Sequence, residues 1–187
     1  ILGKLSDPLA AVQSLDPEVL KKVKRDNIGI STMTDLLEEW KKQKIKSTTD
    51  VLVGLPGDSL LSHLETLRKC FDMEFNSINV GNVRMLPGSE MESDMCRNNF
   101  NLKTKYRLIS GSYGKYNDMP IFEYEESVRS SKDITESEMH SLRIIHFFVY
   151  AFWNVGIAMP LLQFIHKEKG INPLDLLFNL AKQDNDE

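Results

Sequence analysis

The chain has 187 residues, with 23 Lys and Arg against 27 Asp and Glu, a net charge of −4, and it is 41% hydrophobic and 27% charged. That composition excludes disordered, collagen-like and low-complexity chains and suits one domain, with or without a helical appendage. The mild negative charge speaks against nucleic acid as a partner, because phosphate neutralisation wants a basic face.

In chain order, Pro8 to Leu15 is a short, mostly apolar run read as a first strand, ending at Asp16-Pro17. Asp16 suits a helix N-cap and Pro17 the first helical position, where a missing N–H costs nothing. The helix is expected from Pro17 to about Asp26. A second, from about Thr32 to Lys44, carries Met33, Leu36, Leu37 and Trp40 at i, i+3, i+4 and i+7. Thr48 to Leu55 reads as a strand, Ser59 to Met73 as a helix with Leu60, Leu61, Leu64, Leu67 and Phe71 inward, and Ser77 to Leu86 as a third strand.

The last two strands end alike, in Leu55-Pro56-Gly57 and Leu86-Pro87-Gly88, 31 residues apart (86 − 55). That spacing is one strand-plus-helix unit of a parallel α/β array, whose ligand sites lie at the carboxyl ends of the strands. The fold class expected is therefore α/β, with the parallel strands of a barrel-type or open sheet over residues 1–97. An irregular connector is expected over 98–134, broken by Gly111, Gly114 and Pro120, and a helical segment over 135–187. The capping box Thr135-Glu136-Ser137-Glu138 opens that segment. The apolar run Ile144 to Ile165 is long enough to cross a bilayer, but Pro160 and the α/β half before it favour a buried helix, or a pair broken at Gly156–Pro160. Asn172-Pro173 caps a final helix, and the tail Lys182 to Glu187 is expected to fray.

Chemistry-bearing motifs are few. Cys70 and Cys96 are too few for a disulfide framework and fit a reducing, cytoplasmic setting; no basic-then-apolar leader supports secretion. His63, His140, His146 and His166 make no H-E-x-x-H pattern, and neither a G-x-S-x-G elbow nor a G-x-x-x-x-G-K-[ST] loop is present. Asp50, inside an apolar strand, is either solvated at the strand start or an acceptor for ligand hydroxyls. The run Lys21, Lys22, Lys24 and Arg25 reads first as a solvated helix face.

Three segments together resemble the radical S-adenosylmethionine superfamily: Ala11-Val12-Gln13-Ser14-Leu15-Asp16-Pro17 with Arg25 on the next helix, Asp50-Val51-Leu52-Val53-Gly54-Leu55-Pro56-Gly57-Asp58, and Asn82-Val83-Arg84-Met85-Leu86-Pro87-Gly88-Ser89-Glu90. The resemblance covers about residues 8–92 and implies that residues 1–97 hold the last three strands of that family's core, a partial TIM-type barrel. It implies S-adenosylmethionine as cofactor, with Gln13 near the ribose, Arg25 on the methionyl carboxylate, and Asp50 accepting from the ribose hydroxyls. Leu52, Gly54, Pro56, Val83 and Leu86 would flank the adenine, and Asp58 stands where many relatives have Glu. It further implies a [4Fe–4S] cluster, whose Cys-x-x-x-Cys-x-x-Cys loop is absent here, and is similar to members with a preceding cobalamin-binding domain. The missing loop, with Ile1 in place of Met, leads to the expectation of a fragment of a longer radical enzyme acting on an unknown substrate. Such a chain would be inactive alone, with no metal site of its own, and would pair with its missing half or self-associate through an open sheet edge. The competing expectation is a non-enzymatic assembly module that uses the barrel remnant and apolar helices as an interface.

Overall fold

The computed structural model describes residues 8–183. Its centre is a parallel pair, β1 (Thr48–Val53) and β2 (Ser77–Asn82), in register from Thr48 opposite Ser77 to Val53 opposite Asn82. The helix α3 (Leu60–Asp72) makes the crossover, entered through a capping box of Ser59 and Ser62. On the outer side of β1 the chain from Pro8 to Gln13 runs parallel, through bridges of Leu9 to Thr48 and Gln13 to Val51. The expected strand Pro8–Leu15 is thus two bridges rather than a continuous ladder. Four steps on one side face three on the other, and the slip is absorbed where Gln13 takes φ +57°, as at a β-bulge.

Asp16 caps α1 (Pro17–Lys22), accepting from the N–H groups of Glu18 and Val19. The helix stops four residues short of its expected end, with Lys24 in the left-handed region at φ +54°. The helix α2 (Ile30–Lys42) buries Met33 and Leu37.

Regular pairing of β2 with β1 ends at Asn82, not at Leu86. Beyond it the chain is shared: Val83 donates to Val53, while its carbonyl accepts from Val128, and Met85 donates to Glu126. Those last bonds are antiparallel, to the strand β4 (Met119–Ser130), which pairs in turn with β3 (Lys103–Tyr116). A short helix, α4 (Asp94–Phe100), precedes the hairpin. The fold is α/β with one parallel and one antiparallel pair, and no closed barrel forms among the described residues.

The hairpin corrects the expected irregular connector over 98–134. Gly111 and Pro120 looked like breakers, but each is accommodated. Gly111, at φ +77°, lies in a bulge where the register jumps from Leu108–Tyr124 to Tyr113–Phe122. Pro120 pairs with Lys115 next to the turn, where a missing N–H is tolerated. The turn itself is Asn117-Asp118, both at positive φ; these residue types enter that region more readily than others and supply the twist that a two-residue hairpin turn needs.

The C-terminal part is helical as expected. The helix α5 (Glu136–Phe148) continues into a π-helical turn, Val149–Asn154, and after a break come α6 (Met159–Lys169) and α7 (Pro173–Gln183). The apolar run is bent by 94° between its halves, and among the described residues no single helix is long and apolar enough to cross a membrane. The wider turn brings two successive side chains onto the parallel sheet. Trp153 donates from Nε1 to the Phe75 carbonyl at 2.9 Å, and Asn154 both accepts from and donates to the backbone of Ile78, each at 2.9 Å. The sheet's helix-facing side, Thr49, Val51, Val53 and Ile78, is at most 1% exposed. It packs on α3, α5 and α7 with Phe71 edge-on to Trp153. Burying each large apolar side chain there contributes about 1.5–3 kcal/mol. Tail residues 184–187 lie outside the described residues.

Candidate functional site at the strand ends

The two Leu-Pro-Gly segments build the same turn. Asp58 donates its N–H to the Leu55 carbonyl at 2.9 Å, and Ser89 to that of Leu86 at 3.0 Å; Gly57 and Gly88 stand at φ +84° and +80°. Proline second and a left-handed glycine third is the arrangement of a type II turn. The sequence repeat is thus a repeat of geometry, placed twice at the carboxyl ends of parallel strands.

A groove of about 520 Å³ lies at that end and brings together Gln13, Arg25, Leu52, Val83 and Leu86. Three of these are aliphatic and two are hydrogen-bonding. Arg25 is half-buried: its Nη2 donates to the Ala11 carbonyl at 2.5 Å and its Nε to Asn27 at 2.9 Å. Nη1 makes neither bond. The bland reading of a wet lysine-rich face therefore fails for Arg25, which ties the first strand segment to the turn after α1. It holds for Lys21 and Lys22, which are exposed.

The other three expected positions lie outside the groove lining. Asp50 accepts from the Asn79 side chain at 3.0 Å, directly across the parallel pair, on the face opposite Thr49, Val51 and Val53. Gly54 and Pro56 are buried in the turn. A Cβ on Gly54, at φ +90°, would stand 3.2 Å from Val128 Cγ1, so glycine is needed there for both backbone and space.

Beneath the first turn lies a polar chain that motif spacing did not reveal. Asp58, 1% exposed, accepts from Gly54 N–H at 3.2 Å and Ser62 Oγ at 2.8 Å, and burial pushes its carboxyl up to about 6. Its Oδ2 is 3.9 Å from His63 Nδ1, and His63 Nε2 is 2.9 Å from Nε2 of His146. His63 is held well below its ordinary pKa by burial and by the neighbouring ring, and burial brings His146 down to about 4. The two neutral imidazoles share one hydrogen bond, so that His63, which also bonds the Leu52 backbone and lies beyond hydrogen-bond distance of Asp58, is joined to a ring facing a second cavity, behind β2. The signal in sequence was a histidine inside each of two apolar helix stripes, a position where a polar ring needs a partner.

Neither thiol is set up as a metal ligand. Burial pushes Cys70 up to about 12, and Cys96 is raised by burial and by Glu90; thiolates, not thiols, bind metal. Among the described residues no group of three or more His, Cys, Asp or Glu side chains could hold a metal ion. No protein-family model and no curated protein matches this sequence.

Proposed function

We propose that this chain supplies the last three parallel strands of a partial TIM-type barrel of the radical S-adenosylmethionine kind, and that the strand-end groove is its part of the cofactor site. The observation that carries this reading is the groove itself: five of the eight positions implied by the sequence resemblance line one 520 Å³ space at the carboxyl ends of the strands. In this reading the free edge of the Arg25 guanidinium receives the methionyl carboxylate in a charge-assisted pair. Leu52, Val83 and Leu86 flank the adenine, and Gln13 reaches the ribose. Asp50 exchanges its Asn79 bond for the ribose hydroxyls.

The residues present do not fit the iron–sulfur cluster, because three thiolates on one loop are needed and Cys70 and Cys96 stand apart and protonated. The cluster ligands, and any cobalamin-binding domain, therefore belong outside these 187 residues, and the isolated chain is expected to show no turnover. When bound in such an enzyme, S-adenosylmethionine supplies a 5′-deoxyadenosyl radical for hydrogen abstraction. The contribution of this chain is to bind and orient the cofactor and keep water from it. A cytoplasmic setting suits the two free thiols.

The test is calorimetric titration of S-adenosylmethionine into the full-length protein. Arg25→Lys is expected to weaken binding ten- to a hundredfold, about 1.5–3 kcal/mol, whereas Lys21→Ala and Lys22→Ala leave it nearly unchanged. Equal affinity for all three variants would remove the basis of the reading.

A second reading, a non-enzymatic assembly module, is favoured by one feature. The outer half of the β3–β4 hairpin exposes Leu108 at 67%, Tyr113 at 75% and Phe122 at 57%. Large apolar side chains clustered on an exposed hairpin mark a protein-binding surface.

A further inference from the structure

Between the outer edge of β2 and the hairpin strand β4 lies a cavity of about 640 Å³, floored by α5 and the π-helical turn. Its side chains follow from simple periodicities. Glu125, Ser127 and Arg129 alternate along one face of β4, and Arg143, His146, Phe147 and Tyr150 recur at i, i+3, i+4 and i+7 along α5 and its extension. With Arg84 and Arg107, four guanidinium groups meet one carboxylate in this space.

That carboxylate is already committed. Glu125 receives Arg84 at 2.9 Å and Arg107 in a shorter contact. Glu136, whose charge acts on both Arg129 and Arg143, is engaged by Lys105. Arg129 and Arg143 have no ion pair among the described residues. The Nε of Arg129 is the one buried side-chain polar atom, among the described residues, without a hydrogen-bond partner. Burial and the like charges of Arg143 and Arg107 lower its pKa from the ordinary value. A guanidinium that faces its own kind with a buried, unpaired Nε is costly to keep unless an anion is brought to it.

The backbone adds donors of the same polarity. Ser77 and Val83 direct their N–H groups to the β1 side, and Ile78 directs its own to Asn154 on the opposite edge. By strand alternation Val80 and Asn82 turn their N–H groups to that same outer edge, which lines the cavity. The backbone bonds of β4 to this segment begin at Val83, and its contact with Asn82 goes to the side chain, whose Nδ2 donates to the Val128 carbonyl at 3.4 Å.

We propose that this cavity is a binding site for a small molecule carrying a phosphate monoester, with the dianion held between Arg129 and Arg143 and against the β2 edge, and the rest of the molecule on the rings of Phe147 and Tyr150. Two unpaired guanidinium groups match a group of about two negative charges, and the planar fork suits phosphate oxygens. The neutral His146 ring stands at the same wall as a hydrogen-bonding partner rather than a third cation. The proposal does not depend on the strand-end groove: failure to bind S-adenosylmethionine leaves it intact, and the reverse also holds.

The probes are inorganic phosphate, phenyl phosphate and acetate, titrated at constant ionic strength into the 187-residue chain and followed by calorimetry and by amide NMR shifts. Phosphate is expected to bind saturably and to move the Val80 and Asn82 amides, phenyl phosphate to bind at least threefold more tightly, and acetate to bind at least tenfold more weakly than phosphate. Arg129→Met and Arg143→Gln should each weaken phosphate at least tenfold, while Lys21→Gln, on the exposed face of α1 away from the cavity, changes it less than twofold. Because Arg129 lacks a partner, Arg129→Met should also raise the melting temperature of the ligand-free protein. A lower melting temperature would mark Arg129 as structural, and acetate binding as well as phosphate, or phosphate binding unaltered by either arginine variant, would each overturn the proposal.

Discussion

The parallel sheet and the β3–β4 hairpin use similar residues to opposite ends. On the helix-facing side of β1 and β2, Val51, Val53 and Ile78 are each 1% exposed under three helices, whereas the outer hairpin leaves Tyr106, Tyr113 and Tyr124 at 65–75%. The inner end of the hairpin behaves like the sheet: Val128 is fully buried and joins Val19, Leu55 and Val83 in a second cluster at the strand ends. The contrast teaches that β-propensity suffices to make strands, while a covering layer decides whether they become core. Tyr106 and Tyr124 meet edge-on across the hairpin with ring centres 5.6 Å apart. Such cross-strand pairs can hold a ribbon in water without burying it.

The largest effect should come from the covering layer. Trp153→Ala removes a 1%-exposed side chain and its bond to the Phe75 carbonyl. A loss of about 3–5 kcal/mol is expected in denaturant unfolding, because both the cavity and an unpaired carbonyl remain. If the loss were no larger than for a hairpin tyrosine, the distinction between covered and uncovered β structure would collapse.

Acid should act next, and on the covered region only. His63 and His146 have folded values below the ordinary 6.5, His146 at about 4. The unfolded chain therefore binds more protons than the fold between pH 6.5 and 4, and stability present above pH 6.5 is lost as pH falls through that window. Asp58 runs the other way: its folded value of about 6 lies above 3.8, so its contribution falls as pH rises from 3.8 to 6. Two histidines against one carboxyl leave a net loss of stability on acidification. Urea melts at pH 7 and pH 4.5 should show this loss in the wild type and a smaller one in His146→Gln.

Gly54→Ala probes the seam where the two regions meet, since its Cβ would press on Val128 of the hairpin and Met139 of α5 at φ +90°. A cost of about 1–3 kcal/mol is expected from thermal unfolding. The smallest effects belong to the outer hairpin. Tyr113→Ser and Phe122→Ser should each alter stability by under about 0.5 kcal/mol. If the hairpin is an interface, they should nevertheless reduce concentration-dependent association in sedimentation velocity. A stability loss of several kcal/mol would mean that the hairpin is covered after all.

Local patterns alone determined much of this protein. The Asp16-Pro17 cap, the Ser59 and Thr135 helix starts, the two Leu-Pro-Gly turns and the break in the apolar run before Pro160 all depend on interactions within a few residues, so their spacing carries the information. Five positions that the sequence resemblance implied share one groove, because parallel strands joined by helices bring their carboxyl ends together. Tertiary structure decided the rest. Whether 103–130 would pair could not be read from its glycines and proline, since the bulge and the left-handed Asn117-Asp118 turn are satisfied only once the two strands meet. Asp50 turned to Asn79, and His63 to His146, because partners 29 and 83 residues away stood opposite them. The arginine cavity is the clearest case: Arg84, Arg107, Arg129 and Arg143 lie on four separate segments of a chain whose net charge is negative. Composition averages over the surface, whereas a folded chain can gather like charges into one space and leave two of them without a counterion.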